Sequence, residues 1–381
     1  MRWNRRFVFI AGVCLLAPAA AMAAGADYAD YLGQTPRSTN IVADKTAGMV
    51  AELRFEVQKI LDAGPLAPLR MAYADIPFEA YWLYYEPGRV VTTLAYAYPH
   101  VTEPQQAGIR TYVRRLFEDP RHQPWAFGIL GKTDGARREL SGIGCVEGRY
   151  FDPQNSPTLH TLYGVWLYGD RSGDWEAIRP HWADIRTRYA KALAGEPRLY
   201  GQMSAHVAVA RLAGRFGDAQ TQAAASGALR EDFDAGKDVA AIAARLARTR
   251  FRRFAEPRNR RAFPGETWVF LDACPEVMRF VADTAKADAI GRADAMRDRY
   301  PKWWLLQAPY STRWTGDEGV GVTPELIGML YPVERWVKGT PAAELASYMR
   351  SAPLGIGDCY WLEALVQTIE AFGDVKWEVV K

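Results

Sequence analysis

Along most of the chain, apolar residues recur every third or fourth position. Between 47 and 62 they fall at Val50, Leu53, Val57, Ile60 and Leu61, a spacing that lines one face of an α-helix. Leu159, Leu162, Tyr163, Trp166 and Leu167 repeat it over 158–170, and Trp361, Leu362, Leu365, Val366, Ile369 and Phe372 over 358–372. Asp358 stands where an N-cap belongs, and Gly373 where a left-handed stop belongs. Thr323-Pro324 and Thr340-Pro341 each set a capping residue before a proline suited to the first helical position. Roughly a dozen segments read this way. No alternating run is long enough to build a sheet; Val90 to Ala97 comes nearest and reads equally as a buried helix. The pattern predicts an all-α fold.

The helices differ in how much of their surface is apolar. Ala205 to Ala213 carries only His206 and Arg211 as polar residues, so it is apolar all round and belongs to an inner layer. The stretch 176–192 has Glu176, Arg179, Asp184, Arg186, Arg188 and Lys191 on one side and belongs outside. The connections differ too. Tight Gly-Asp turns stand at Gly169-Asp170, Gly173-Asp174 and Gly217-Asp218, where the aspartates read as caps. Long stretches rich in Pro, Gly and aromatic residues fill 119–157, 251–267 and 300–322. Inner and outer helices alternating along the chain, with short turns at one end and long loops at the other, predict a closed helical ring with its site among the long loops.

Composition narrows the class. At 49% hydrophobic and 24% charged, the chain is globular, not disordered, collagenous or coiled-coil. Arg2, Arg5 and Arg6 precede an apolar run from Phe7 to Ala20, and Ala21-Met22-Ala23 supplies small residues at a cleavage site. Residues 1–23 therefore read as a secretory signal peptide, leaving 24–381 as one domain in the periplasm or outside the cell. That run is too short for a membrane span, so no integral membrane segment is expected after its removal. Its loss takes three of the 47 basic residues and no acidic ones, so 44 basic face 44 acidic residues. The balance gives no field for nucleic acid or anionic membrane. Cys145, Cys274 and Cys359 remain, too few for a disulfide framework.

The stretch Leu159-His160-Thr161-Leu162-Tyr163-Gly164-Val165-Trp166-Leu167-Tyr168-Gly169-Asp170-Arg171-Ser172-Gly173-Asp174-Trp175-Glu176 resembles a hairpin of the (α/α) toroid carbohydrate-active proteins, the six-hairpin glycosidase group. There an aliphatic-W-L-Y passage followed by T/S-G-D recurs between paired helices. The resemblance extends to helical hairpins from about 47 to 372 and implies an (α/α)6 toroid acting on an oligo- or polysaccharide. It carries no family's catalytic residues onto this chain, and fold alone does not fix function.

The residues themselves offer two chemistries. Trp303, Trp304, Tyr310, Arg313 and Trp314 lie close to Asp317 and Glu318 in a Gly-rich stretch. Aromatic faces stack on sugar rings, and a carboxyl pair performs glycoside hydrolysis. The same residues also suit a packed aromatic loop. A second acid is sought among Glu147, Asp152, Asp272 and Glu276; the last two, at i and i+4, share a helical face that otherwise reads as exposed. A paired-carboxylate glycoside hydrolase is the first expectation. The second is a polysaccharide lyase, with His160 and Tyr163 exchanging protons with a uronate and His206 turned toward the ring's centre to bind substrate. Each histidine also reads as a hydrogen-bonded core residue. Eight arginines between 245 and 261 suit either an acidic polymer or a solvated face. A non-catalytic glycan-binding toroid is the third reading. No nucleotide loop, nucleophile elbow or zinc spacing is present, so neither cofactor nor metal is expected.

Overall fold

The computed structural model describes residues 28–65, 87–120, 123–125, 159–194, 201–235, 273–299, 324–350 and 359–380. Helices take up 80% of them, so the chain is mostly helical, as its periodicity predicts.

A short helix α1 (Tyr28–Gly33) and strand β1 (Gln34–Thr39) precede α2 (Ala43–Ala63), α3 (Pro87–Ala97) and α4 (Glu103–Glu118). After them come α5 (Thr161–Ser172), α6 (Trp175–Ile178), α7 (Trp182–Ala194), α8 (Gln202–Phe216) and α9 (Ala219–Ala235). The last third holds α10 (Pro275–Thr284), α11 (Lys286–Arg299), α12 (Pro324–Pro332) with a π-helical continuation (Val333–Lys338), α13 (Ala342–Tyr348), α14 (Cys359–Ala371) and strand β2 (Asp374–Val379).

Six of these helices are buried nearly all round and pack in succession: α3 on α5, α5 on α8, α8 on α10, α10 on the π-helical end of α12, α12 on α14, and α14 back on α3. Val91, Leu94, Leu162, Val165, Val207, Val209, Leu362 and Leu365 are essentially inaccessible to solvent. Each such side chain stabilises the fold by about 1.5–3 kcal/mol through burial alone. The helices between them carry one apolar stripe and cover them from outside: α2 lies on α14 and α3, α9 on α8, α11 on α10, and α13 on α14. Val90–Ala97, ambiguous in sequence, lies wholly within the buried helix α3.

Short turns join the far ends of α3, α5, α8, α10 and the π-helical end of α12 to the helices that follow them. Gly173 and Gly217 make two of them with φ of 72° and 75°, the left-handed stop expected at both. Asp218 caps α9, its carboxylate accepting from the Thr221 backbone N–H at 3.0 Å. Asp174 does not act as a side-chain cap. Its carboxylate accepts instead from Arg114, at 2.9 and 2.7 Å, and from Tyr168 at 2.5 Å, because a buried carboxylate gains more from a guanidinium than from one amide.

Among the described residues there is one small sheet. β1 and β2 pair antiparallel, Gln34 opposite Val379 and Thr39 opposite Asp374, so the two ends of the described chain are tied together. Among the described residues no helix is long and apolar enough to cross a membrane.

Candidate functional site

The first turns of the six buried helices lie together. Segments 66–86, 126–158, 195–200, 236–272, 300–323 and 351–358 all lead into them. Arg89 at the start of α3, His160 just before α5, Ala273 and Pro275 at α10, Ile327 in α12, and Tyr360 and Glu363 at α14 line a cavity of about 30 Å³. Tyr96, Tyr331, Trp336 and Gln367 complete its wall. A volume of that size holds about two water molecules, or one carboxylate group in their place. Helix N-termini pointing at a common space present partial positive charge to it.

His160 is the least ordinary residue here. It is 3% exposed, and neither ring nitrogen has a hydrogen-bond partner among the described residues. Burial pushes its pKa well below the usual 6.5, and the Arg89 charge pushes it further down, so the imidazole is neutral. Its ring stacks on Tyr163 with centroids 5.6 Å apart and planes 24° apart. Gly201, at φ 69°, packs against the root of this side chain: a Cβ there would stand 2.4 Å from that of His160.

Beside it, Arg89 donates from Nη1 to Glu363 Oε2 at 2.9 Å and from Nη2 to the Tyr360 hydroxyl at 3.2 Å. Thr93 donates to the other Glu363 oxygen at 2.9 Å. The guanidinium carbon lies 4.2 Å from the Tyr360 ring centroid, which suits the weakly hydrated Arg cation. Tyr96 faces the cavity from α3. Burial, with the charges of Glu363 and Glu276, raises its pKa well above 10, so the phenol keeps its proton.

Behind His160 lies a second charged group. Tyr163 donates to Glu276 Oε2 at 3.0 Å, and Arg211 Nη1 donates to Glu276 Oε1 at 2.7 Å. Glu276 is fully buried, which corrects the exposed face expected of it. Its helix begins at Pro275, so the helical spacing to Asp272 does not apply. His206 also departs from expectation: it does not line the cavity but turns to the covering helices, 2.5 Å from the Tyr189 hydroxyl and 3.2 Å from Asp232. The outward turn is favoured because a polar ring pointing inward from α8 would lack those partners.

Asp317, Glu318, Asp272, Trp303, Trp304, Tyr310, Arg313 and Trp314 lie outside the described residues, as does the arginine run 245–261. Of the sequence candidates the structure therefore brings together His160, Tyr163 and Glu276. It adds Arg89, Glu363, Tyr96 and Tyr360, which pattern reading missed. Their signal was present: Arg89 is the one charge in 88–97, and Glu363 the one charge in 359–369. Among the described residues no cluster of His, Cys, Asp and Glu is arranged to hold a metal ion. Comparison of the chain with protein-family models, curated proteins and solved structures finds no match.

Proposed function

We propose that the chain is an exported (α/α)6 toroid that cleaves a uronate-containing polysaccharide by β-elimination at the His160 cavity. The observation that carries this reading is a neutral, buried imidazole, without a hydrogen-bond partner among the described residues, beside an arginine at converging helix N-termini. A toroid is supported by the alternation of buried and covering helices along most of the described chain and by the contact of α14 back onto α3.

Elimination needs three things, and the cavity residues suit each. The substrate carboxylate is met by the helix N-termini beside the Arg89–Glu363 pair, which makes the adjacent C5 proton more acidic. A neutral His160 ring nitrogen takes that proton. The C–H electrons then form the C4–C5 double bond as the C4–O bond breaks, and the Tyr96 phenol gives its proton to the leaving oxygen. Tyr163, the tyrosine expected in that role, already donates its proton to Glu276.

Hydrolysis is the second reading, and Glu363 at the cavity wall is the observation that favours it. Arg89 keeps that carboxylate paired, so the second acid would come from Asp317, Glu318 or Asp272. A polysaccharide panel read for both reducing ends and ultraviolet-absorbing unsaturated uronates separates the readings. Elimination predicts both signals, and a loss of about 10²–10⁴-fold in His160→Gln. Reducing ends without unsaturation, lost in Asp317→Asn or Glu318→Gln, would establish hydrolysis instead. Retention of a glycan with neither product would leave a binding toroid.

A further inference from the structure

We infer that Tyr163 is a positioning residue, which sets the His160 ring through a tether anchored in the N-terminal segment. The inference rests on reading the His160 cavity as the working site.

A histidine in a site is ordinarily oriented by a hydrogen bond to one ring nitrogen, which fixes both tautomer and plane. His160 has none among the described residues. Its plane is set by contact, with Tyr163 stacked on one face, while Gly201 packs close against the Cβ and backbone that carry the ring. A stacked ring holds its neighbour only as firmly as it is held itself. Tyr163 is held by its hydroxyl, which donates to Glu276 Oε2 at 3.0 Å.

The tether continues from there. Glu276 Oε1 accepts from Arg211 at 2.7 Å. Arg211 spends its remaining donors on the chain's N-terminal stretch: Nε to the Leu32 carbonyl at 2.9 Å and Nη2 to the Gln34 carbonyl at 2.7 Å. Its guanidinium carbon lies 4.2 Å from the Trp166 ring centroid. Glu276 and Arg211 are both buried, and a buried ion pair with its donors and acceptors satisfied has one geometry rather than several. Residues 31–34 therefore reach the cavity through three side chains, and docking of that segment becomes part of building the site.

The test reads His160 directly. The full chain carries five histidines, so ¹³C/¹⁵N-histidine labelling resolves each ring, and His160→Gln assigns the signal. Tyr163→Phe keeps the stacked ring and leaves the Arg211–Glu276 pair intact, so it is expected to fold as the parent does. Glu276→Gln loosens the same tether from its other end. The expected result is that Tyr163→Phe broadens, doubles or displaces the His160 ring signals by more than a line width while the other four stay in place. Glu276→Gln, where it folds, should move the same signals. His160 signals unchanged in Tyr163→Phe would overturn the inference and leave Tyr163 as core packing. The readout does not depend on turnover. Moved signals in a chain that cleaves no glycan would overturn the lyase function alone. Unmoved signals in a chain that does cleave one would overturn the positioning role alone.

Discussion

A histidine buried without a hydrogen bond must stay neutral for the chain to stay folded. The folded pKa of His160 lies well below 6.5, whereas in the unfolded chain it returns to about 6.5. Between those two values the unfolded state binds a proton that the folded state refuses. Stability is therefore lost as pH falls below about 6.5, at up to about 1.4 kcal/mol per pH unit for this one group, until the folded pKa is reached. His160→Gln removes that contribution. Urea unfolding midpoints measured from pH 7.5 down to 5 should fall more steeply in the parent than in the variant. Parallel curves would mean that His160 is hydrogen-bonded or solvated. The residue scale is also where sequence reading reached least far. Periodicity identifies Arg89 and Glu363 only as interruptions of apolar helices, since their pairing joins residues 274 positions apart. Glu276 shows the same limit: its burial comes from Arg211 and Tyr163 on two other helices, and neither is visible from the spacing within its own.

At the scale of elements, the approach of α3 and α5 depends on missing side chains. A Cβ on Gly164 would sit 2.0 Å from Thr92 Oγ1 and 2.9 Å from the Thr92 Cα, so the backbones touch where ordinary residues would hold them apart. Gly164→Ala should force the pair apart and destabilise the chain by about 1–3 kcal/mol, the usual cost of overpacking. Displacing Thr92 and its helix should also disturb Arg89 at the start of α3. Chemical denaturation measures the first effect, and an unchanged midpoint would show that the helices can yield there at no cost. The helices themselves were readable because their stripes repeat locally. β1 and β2 were not. Gln34–Thr39 reads Gln-Thr-Pro-Arg-Ser-Thr, without alternation and with a proline, and its partner lies at the other end of the chain. Strand pairing of that separation leaves little mark on either segment alone.

For the molecule as a whole, that distant pairing matters more than its size suggests. Here α14 packs on α3 while β2 pairs with β1, so early and late described elements meet at a seam. Val380 N–H donates to the Gly33 carbonyl at 2.8 Å, so the ladder continues to the last described residues. Arg279 ties the seam to α10, donating to Gln34 Oε1 at 2.9 Å with its guanidinium carbon 4.6 Å from the Trp377 ring centroid. Two chain ends held side by side can be joined by a short flexible linker at small entropic cost. A circular permutant joining Val380 to Tyr28 through such a linker, with new ends opened at the Gly217–Asp218 turn, should therefore fold. That turn lies at the end of α8 away from the cavity, so the permutant should keep the parent's helical circular dichroism, a single unfolding transition and the His160 ring signals. An insoluble or non-cooperative product would mean that the continuous α8–α9 hairpin, rather than the seam, is what organises the fold. Retained helicity with altered His160 signals would mean that the cavity depends on how the N-terminal segment enters, through the Leu32 and Gln34 carbonyls that hold Arg211.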